Sequence, residues 1–484
     1  MRDFVIGAIG LVLTACWTGS SSAASGTVEH GHGSRRNVVM IVSDDHGLQL
    51  GCYGETIIKT PHLDALAAEG TRFANAFCVT ASCSPSRSTI LTGRFGHATG
   101  QYGLAHSYHN FRAMPKQTSL PKLLNEDGVR TAIIGKFHVL PEEMYPFETL
   151  PGNARNPVAM ADACRKFLAE CVESQTPFFL YFCTIDPHRS GDVNESLPER
   201  PNRFGNIEGG HKGVVETGYD PDKMVVPPWL PNTPESRAEW AEYAQSVSRV
   251  DQGVGRLIEI LRQTGAWDNT LVIYLSDNGP AFPGAKTTLY EPGMKLPCIV
   301  RDPAAKSTGV VNEGLISWVD LAPTVLEAMG GLTEERAKGF HGRSFLSLVG
   351  CDDPQGRDVV YGSHTFHEVT MYFPMRAVRE PRFKLIWNLA APLPFPFASD
   401  LYNSATWQAA LKAGPDSPYG VRTVAQTMGP RPSFELYDLQ TDPLEQRNLA
   451  DDPAYQQELK RLQDKLRAFQ KRTNDPWILK WERE

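Results

Sequence analysis

Four short runs of mainly apolar residues set the strongest limit on how this chain can fold. They cover residues 37–43, 129–135, 177–185 and 270–276. Short apolar runs without a clear two-residue alternation are typical of strands that are buried on both faces of a sheet. Longer stretches with helical periodicity separate them, among them residues 234–264. The sequence therefore predicts the α/β class, with helices flanking a large sheet.

Acidic and amide side chains directly follow two of these runs. Asp44 and Asp45 come after the first run, and Asp277 and Asn278 come after the fourth. Ligands of open α/β sheets bind beyond the carboxyl ends of strands, and adjacent buried carboxylates are costly without a positive partner. Oxygen donors without cysteine–histidine zinc spacing suit Ca²⁺ or Mg²⁺. We expect metal ligands here; the alternative is a pair of solvated turns.

Basic side chains follow the other two runs, and we expect them to lie at the same edge of the predicted sheet. Lys136 and His138 follow the second run, and on an extended chain two residues apart they point the same way. The third run leads to His188, and Lys286 lies in a Pro/Gly-rich loop after the fourth. Each could be an ordinary surface residue when taken alone. Together, at strand ends that meet at one edge, they predict an anion-binding site.

Cys83 opens a segment that predicts a second anion-binding feature. Pro85 suits the first turn of a helix, which would put Cys83 at the helix mouth beside unpaired backbone N–H groups. Arg87 would then lie about one turn further on, on roughly the same face. The alternative is a buried, inert cysteine before a helix.

The overall composition excludes some partners and leaves others open. The chain has 484 residues, 41% of them hydrophobic, and a formal net charge of −7. Such a chain can bury a large core, and it has no overall attraction to nucleic acid. A polyanionic substrate would need a local cationic pocket. Nine cysteines without CxxC spacing predict mostly free, buried thiols.

The first residues have the features of an export signal. Arg2 precedes an apolar run over residues 4–13, which is too short to span a bilayer. The sequence ending in Cys16 resembles a bacterial lipobox, which would make Cys16 a lipidated first residue; the alternative is ordinary signal cleavage near residues 22–24. We expect a signal peptide over 1–24 and a flexible tether over 25–35. We expect the protein to be exported to the bacterial periplasm or cell envelope. Its only attachment to a membrane would be a lipid on Cys16.

The motifs at these positions resemble those of the type I, formylglycine-dependent sulfatases. The Cys-x-Pro-Ser-Arg motif at Cys83 continues into Leu-Thr-Gly-Arg, and Ser-Asp-Asn-Gly, Gly-Lys-x-His and Asp-Pro-His occur elsewhere. The resemblance implies the alkaline-phosphatase-like sulfatase fold: a large mixed sheet flanked by helices, with a smaller C-terminal antiparallel sheet. We expect a catalytic domain over 36–349 and a C-terminal subdomain over 350–484.

The resemblance also implies a role for each candidate residue. Cys83 is oxidised in that family to formylglycine (3-oxoalanine) by a formylglycine-generating enzyme, and the hydrated aldehyde is the nucleophile. A divalent cation, usually Ca²⁺, would be held by Asp44, Asp45, Asp277, Asn278 and position 83. Sulfate binding and proton transfer would be carried out by Arg87, Lys136, His138, His188 and Lys286.

Further motifs are similar to those of the sulfamidase branch, the N-sulfoglucosamine sulfohydrolases. They include a His-Glu-Val-Thr-Met segment at His367 and Glu368, which implies sugar recognition; a capping or hinge role is the alternative. The sulfamidase branch has an arginine at the position of Lys286. Lysine keeps the positive charge but lacks the planar guanidinium, which can donate two parallel hydrogen bonds to one anion. The implied substrate is N-sulfoglucosamine in sulfated glycosaminoglycan oligosaccharides.

Three other functions stay open at this point. The same machinery could act as an O-sulfatase on glycan or aryl sulfate esters, or as a phosphonate or phosphodiester hydrolase of the same superfamily. An inactive protein that only binds sulfated glycans is the rival from a different class. Cys83, both histidines and all four metal ligands are present, which argues against the last of these.

Overall fold

The main sheet is built around the first apolar run in a computed structural model that describes residues 35–482. That run forms β1 (Asn37–Ser43), which pairs in parallel with β5 (Phe178–Cys183) on one side and with β6 (Thr270–Ser276) on the other. Residues 38–42 are fully buried because helices cover both faces of the sheet. The predicted limits of β1 and β6 agree with the structure.

Nine strands form this sheet. Their spatial order is β4 (Glu148–Leu150), β3 (Arg130–Gly135), β5, β1, β6, β8 (Cys298–Arg301), β2 (Thr71–Phe77) and β7 (Lys295–Leu296), with β9 (Val310–Ser317) also paired to β2. The strands from β4 to β6 run parallel, and β8 is antiparallel to both β6 and β2. The predicted large mixed sheet is confirmed.

Helices pack on the two faces of the sheet through alternate side chains of its strands. Val39 and Ile41 of β1 belong to a core with α1 (Pro61–Ala68), α5 (Pro157–Glu173) and α6 (Pro234–Gln263). Val38 and Met40 belong to a core with α2 (Cys83–Thr92), α4 (Leu120–Glu126) and α8 (Leu321–Ala328). The other helices are α3 (Gly96–Thr99), α7 (Glu291–Met294), α9 (Glu334–Lys338), α10 (Ser399–Tyr402), α11 (Ala405–Ala413), α12 (Val424–Met428) and α13 (Gln456–Arg472).

A second, smaller sheet lies in the C-terminal part, as predicted. Its antiparallel strands are β10 (Val360–His364), β11 (Met375–Arg379), β12 (Phe383–Asn388) and β15 (Phe434–Asp438), and β13 (Pro418–Tyr419) pairs separately with β14 (Arg422–Thr423). Val378 and Leu385 pack against Leu462 and Leu466 of α13. Alternate residues, among them Ala377, join the core of the main sheet. The domain limit between 349 and 350 stays a prediction.

A mixed sheet was expected, but its strands β2, β7 and β8 were not located from the sequence. Strand β2 has the sequence TRFANAF, whose polar residues interrupt the apolar pattern, so it lacks the mark of a buried strand. Its partners β8 and β9 lie more than 200 residues away in sequence, and such pairing leaves no local signal.

Some predictions concern residues 1–34, which lie outside the described range. These are the signal peptide, Cys16 and nearly all of the tether. Between residues 35 and 482, the structure contains no helix with the length and apolar character needed to cross a membrane. All eight cysteines in this range are free, and six of them are buried, as predicted.

Candidate active site

The ends of β1 and β6 bring four oxygen-bearing side chains together. The backbone N–H of Asp45 donates to Asp277 Oδ1 at 3.1 Å, and Asn278 Nδ2 donates to Asp45 Oδ1 at 2.6 Å. Asp44, Asp45 and Asp277 each offer one carboxylate oxygen within 4.8 Å of the others. All four side chains are buried. The parallel pairing of β1 with β6 therefore creates the predicted acidic cluster.

This cluster fits a hard divalent cation. Asp44 Oδ1 and Asn278 Oδ1 are buried and have no hydrogen-bond partner among residues 35–482, although buried polar atoms are normally paired. Burial and the neighbouring Asp44 raise the pKa of Asp277 to about 8. Burial opposes the ionisation of Asp44 as well, yet Lys136, His188 and Arg87 hold its pKa well below its usual range. Oxygen donors of this kind are those that Ca²⁺ and Mg²⁺ prefer.

Cys83 lies at the start of α2, beside the acidic cluster. Its Sγ is 3.9 Å from Asp45 Oδ1, and the residue is only 1% exposed. The helix begins at Cys83 itself, so Pro85 is its third residue and lies in the first turn, as predicted. Burial, together with Asp44, raises the pKa of the Cys83 thiol well above its usual range. An unmodified Cys83 would therefore be a neutral thiol and a poor nucleophile.

Arg87 lies beneath the cluster, one turn along α2. Its Nε donates to Asp277 Oδ2 at 2.8 Å, and its Nη1 donates to the backbone oxygen of Lys136 at 3.0 Å. Its Nη2 is 3.7 Å from Asp44 Oδ1 and has no hydrogen-bond partner among the described residues. Arg87 therefore holds two strand ends together and keeps one donor group uncommitted.

Lys136 and His138 follow β3 and line the cavity above Cys83. The Lys136 ammonium pairs with Asp44 Oδ2. His138 has a φ of 59°, which is uncommon for a residue other than glycine, and its Nε2 lies 2.5 Å from His106 Nδ1. Burial and Lys136 hold the pKa of His138 well below its usual range. His138 is therefore held as a neutral imidazole.

His188 and Lys286 occupy the opposite wall of the cavity. His188 Nδ1 donates to the backbone oxygen of Arg189 at 2.6 Å, which leaves Nε2 to face the cavity. Lys286 Nζ lies 3.2 Å from His188 Nε2, 2.9 Å from Asp45 Oδ2 and 3.0 Å from Asp400 Oδ2. Burial and Lys286 lower the pKa of His188. The lysine thus joins the acidic cluster to the candidate acid.

His367 and Glu368 reach the same cavity from the C-terminal part. His367 Nδ1 lies 2.8 Å from the hydroxyl of Ser82, which explains why Ser82 does not cap α2 with its side chain. Glu368 Oε1 accepts from the N–H and the hydroxyl of Ser399, each at 2.7 Å. Glu368 therefore braces the start of α10, and it lines the cavity as well.

The cavity has a volume of about 690 Å³, which is ample for a sugar ring and its substituents. Seven predicted site residues line it, namely Cys83, Lys136, His138, His188, Lys286, His367 and Glu368. Asp44, Asp45, Arg87, Asp277 and Asn278 are buried side chains next to these lining residues. The structure thus brings all of the predicted site residues together.

Sequence analysis missed several residues of this cavity. His106, His109, Arg155 and Asp400 also line it. None of them follows one of the buried strands, and none belongs to a motif that we identified. The Ser-Asp pair at Ser399 and Asp400 resembles an ordinary helix start, so its sequence carried no sign of a site.

Comparisons with known proteins agree with this geometry. The family described as Sulfatase matches residues 36–332, and the family described as N-sulphoglucosamine sulphohydrolase, C-terminal, matches residues 285–392. Human N-sulphoglucosamine sulphohydrolase is 39% identical over 462 residues, which cover 92% of this chain and 91% of the human protein.

More distant relatives share most of the chain. An N-acetylglucosamine-6-O-sulfatase of Bacteroides thetaiotaomicron is 25% identical over 538 residues, covering 91% of this chain and 88% of its own. A solved structure of a complex with its substrate D-glucosamine-2-N,6-O-disulfate shares the fold, with a TM-score of 0.65 and 23% identity over 93% of this chain and 100% of that one. This protein therefore belongs to the sulfatase family and carries the C-terminal region that characterises the N-sulphoglucosamine sulphohydrolases.

Proposed function

We propose that this protein hydrolyses the N-linked sulfate of N-sulfoglucosamine, most readily at the non-reducing end of heparan or heparin fragments. The observation that carries the proposal is the 39% identity to human N-sulphoglucosamine sulphohydrolase over nearly the whole length of both chains. The match to the C-terminal family spans residues 285–392, which include Lys286, His367 and Glu368 of the cavity wall. The likeness therefore extends to the walls that would meet the sugar.

Two groups complete the proposed site. A formylglycine-generating enzyme of the host converts Cys83 to formylglycine, and Asp44, Asp45, Asp277, Asn278 and position 83 hold Ca²⁺, or Mg²⁺ as the alternative. Formylglycine supplies a hydroxyl nucleophile for sulfur, and the cation supplies positive charge against the sulfate oxygens. The high pKa of the Cys83 thiol supports the need for a modified residue, and the partnerless Asp44 and Asn278 oxygens support the cation.

The basic side chains of the site bind the sulfate. Lys136 and Lys286 line the cavity with their ammonium groups, and Arg87 Nη2 is an uncommitted donor near Asp44. Because Arg87 and Lys286 are buried and the Lys136 side chain is only 13% exposed, their charges are little screened by water and act strongly on an anion. They would stabilise the charge that grows on the sulfate oxygens as the bond to sulfur breaks.

Two histidines carry the protons. His188 Nε2 faces the cavity and accepts a hydrogen bond from the Lys286 ammonium, so the pair of His188 and Lys286 is suited to supply the proton that the leaving nitrogen takes. His138 is held neutral on the other wall and is suited to accept a proton when sulfate is released. His367 and Glu368 lie beside the sugar and orient it. General acids and bases positioned in this way contribute about 10²- to 10⁴-fold to rate.

An O-sulfatase on glycan or aryl esters is the second candidate function. The 25% identical relative from Bacteroides thetaiotaomicron is an N-acetylglucosamine-6-O-sulfatase, and the substrate in the related solved structure carries a 6-O-sulfate as well as an N-sulfate. The same charged groups would bind either type of sulfate. Only the groups around the leaving atom can discriminate between nitrogen and oxygen.

The N-terminal features support a proposed location. A signal sequence would export the protein to the periplasm or cell envelope, and lipidation of Cys16 would anchor it there; cleavage near residues 22–24 is the alternative. Both routes would place the enzyme where sulfated glycans from outside the cell can reach it. Mass analysis of the protein from its native membrane fraction would distinguish the two routes.

One preparation can test the proposed function. Peptide mass would report whether Cys83 has become the aldehyde, which is lighter than the thiol by about 18 mass units. The same sample receives N-sulfoglucosamine and glucosamine 6-O-sulfate in parallel, and free sulfate is measured. We expect the aldehyde and release from the N-sulfate. Aldehyde with release only from the 6-O-sulfate would replace the sulfamidase proposal with the O-sulfatase one. The Cys83→Ala variant is the control for contaminating activity.

A further inference from the structure

Asp400 is an acidic side chain inside a site built to bind an anion. It lines the same cavity as Cys83, at the start of the short helix α10. Its Oδ2 accepts from Lys286 Nζ at 3.0 Å and lies 3.9 Å from His188 Nε2. None of the roles assigned above uses this carboxylate, although it lies on the side of the cavity where the leaving group must be.

The position of Asp400 is defined by the protein. Ser399, the residue before it, binds Glu368 through both its backbone N–H and its hydroxyl. Lys286, which Asp400 contacts, is itself only 1% exposed and is held by Asp45. The Asp400 side chain is 24% exposed, so it is fixed at the cavity wall and yet open to a bound molecule.

The carboxylate also keeps capacity to accept a hydrogen bond. Asp400 Oδ1 is buried and has no hydrogen-bond partner in the part of the chain that the structure describes, and Oδ2 accepts there only from Lys286, one of the two hydrogen bonds that a carboxylate oxygen can take. Although burial opposes ionisation, the charge of Lys286 holds the pKa of Asp400 well below its usual range. An ionised carboxylate repels sulfate, so its remaining capacity suits a hydrogen-bond donor on the substrate and not the sulfate itself.

We propose that Asp400 binds the glucosamine nitrogen of the substrate and selects a sulfamate over a sulfate ester. This inference rests on the proposed function. A sulfamate nitrogen carries one hydrogen that the carboxylate can accept, whereas the bridging oxygen of an ester carries none. The same position next to His188 suits the atom that this histidine protonates.

The product of the reaction strengthens this preference. When the N–S bond breaks, its electron pair stays on nitrogen, and nitrogen takes a proton, which the Lys286 ammonium supplies through His188 Nε2, to become an amine. A further proton from water gives an ammonium group, which Asp400 can bind as an ion pair. An alcohol product has one O–H and no charge, so Asp400 would bind glucosamine in preference to the same sugar without the amine.

The test compares the wild type with Asp400→Asn, which keeps the shape and removes the charge. We expect kcat/KM for N-sulfoglucosamine to fall by about 10- to 100-fold, the size of a lost charge-assisted hydrogen bond. Competitive inhibition by glucosamine should weaken by a similar factor, whereas inhibition by glucose and by inorganic sulfate should change by less than about twofold. Asp416→Asn, at an exposed position with no hydrogen bond from its side chain, is the matched control.

Other outcomes would overturn the inference. Unchanged glucosamine inhibition in Asp400→Asn would exclude contact with the nitrogen. Weaker inhibition by sulfate, with glucosamine and glucose affected equally, would mean that Asp400 only positions Lys286. If Asp400→Asn does not fold, Asp400→Glu keeps the charge and displaces it, and it should weaken glucosamine inhibition selectively. A wild type that carries the aldehyde at position 83 and still releases no sulfate from N-sulfoglucosamine would reject the proposed function itself.

Discussion

Arg87 Nε lies 2.8 Å from Asp277 Oδ2, and neither side chain is exposed to solvent. This ion pair links α2, which carries Cys83, to the end of β6. The second guanidinium nitrogen, Nη2, reaches to 3.7 Å from Asp44 at the end of β1. One side chain therefore sets the spacing between the nucleophile position and two of the proposed metal ligands.

We expect Arg87→Lys to lose most of the activity even though it keeps the charge. An ammonium cannot bind Asp277 and the Lys136 backbone together as the guanidinium does. Sulfate release should fall by at least about 10-fold, and Arg87→Met should in addition lower the free energy of unfolding by about 3–5 kcal/mol, because it leaves a buried carboxylate unpaired. Steady-state kinetics and denaturant unfolding would measure both. The exposed Arg112→Lys is the control, and equal activity of Arg87→Lys and wild type would contradict the prediction.

Removing the cation should reversibly abolish activity. Without it, the close carboxylates of Asp44, Asp45 and Asp277 repel one another, and Asp44 Oδ1 loses its only expected partner. Treatment with a chelator should stop sulfate release and lower the melting temperature, and Ca²⁺ should restore both. A ligand at 100 times its dissociation constant adds about 2.7 kcal/mol of stability.

Metal analysis would identify the ion in this experiment. One Ca²⁺ per chain is expected in the wild type and in Asp416→Asn, and less than a tenth of that in Asp277→Asn. Full activity after complete removal of divalent ions would contradict the metal assignment.

Replacing Lys286 by arginine should impair the enzyme. Lys286 Nζ contacts Asp45, Asp400 and His188 at 2.9–3.2 Å, and the side chain is buried. A planar guanidinium is larger and cannot direct its donors to these three partners at once. We expect kcat/KM to fall by about 10-fold in Lys286→Arg and by about 10³-fold in Lys286→Met, the size of a lost charged donor at a reacting centre.

The exposed Lys412→Arg provides the control for this exchange. If Lys286→Arg were as active as the wild type, the three-way contact of Lys286 would have no part in the chemistry. The same variants also report on Asp400, because loss of the lysine removes one of its two charged neighbours in the cavity wall.

Acid should destabilise the protein through the buried pair of Glu239 and Arg189. The two side chains form two hydrogen bonds, at 2.6 and 2.9 Å. Burial opposes ionisation of Glu239, yet Arg189 lowers its pKa below the usual value of 4.5. The stabilisation is therefore complete above the pKa of the unfolded carboxyl and is lost as pH falls through the lower folded pKa.

Denaturant unfolding between pH 3 and pH 7 tests this. The free energy of unfolding of the wild type should decrease below about pH 4.5. In Glu239→Gln it should decrease less steeply with falling pH, and at neutral pH this variant should be about 3–5 kcal/mol less stable than the wild type. Glu259→Gln, on the exposed side of the same helix, should keep the slope of the wild type. An identical slope in Glu239→Gln would show that this pair does not control acid stability.

Some parts of the fold could be predicted because their signals are local. The strands β1 and β6 have the predicted limits, since short apolar runs report burial on both faces of a sheet. The side chains that follow them could be assigned to one edge because parallel strands end together. Strand β2 could not be predicted, since its partners are distant in sequence and polar residues interrupt its apolar pattern.

The sequence by itself determined the class of fold, the family and the types of group in the site. These depend on local burial patterns and on short motifs such as the one at Cys83, and all residues of such a pattern or motif lie close together in the sequence. Only the tertiary structure decided that Asp400 meets Lys286 across 114 residues, that His106 meets His138, and that Glu368 braces Ser399. The physical reason is that these contacts join segments by packing, and packing between distant segments has no periodicity or motif in the chain.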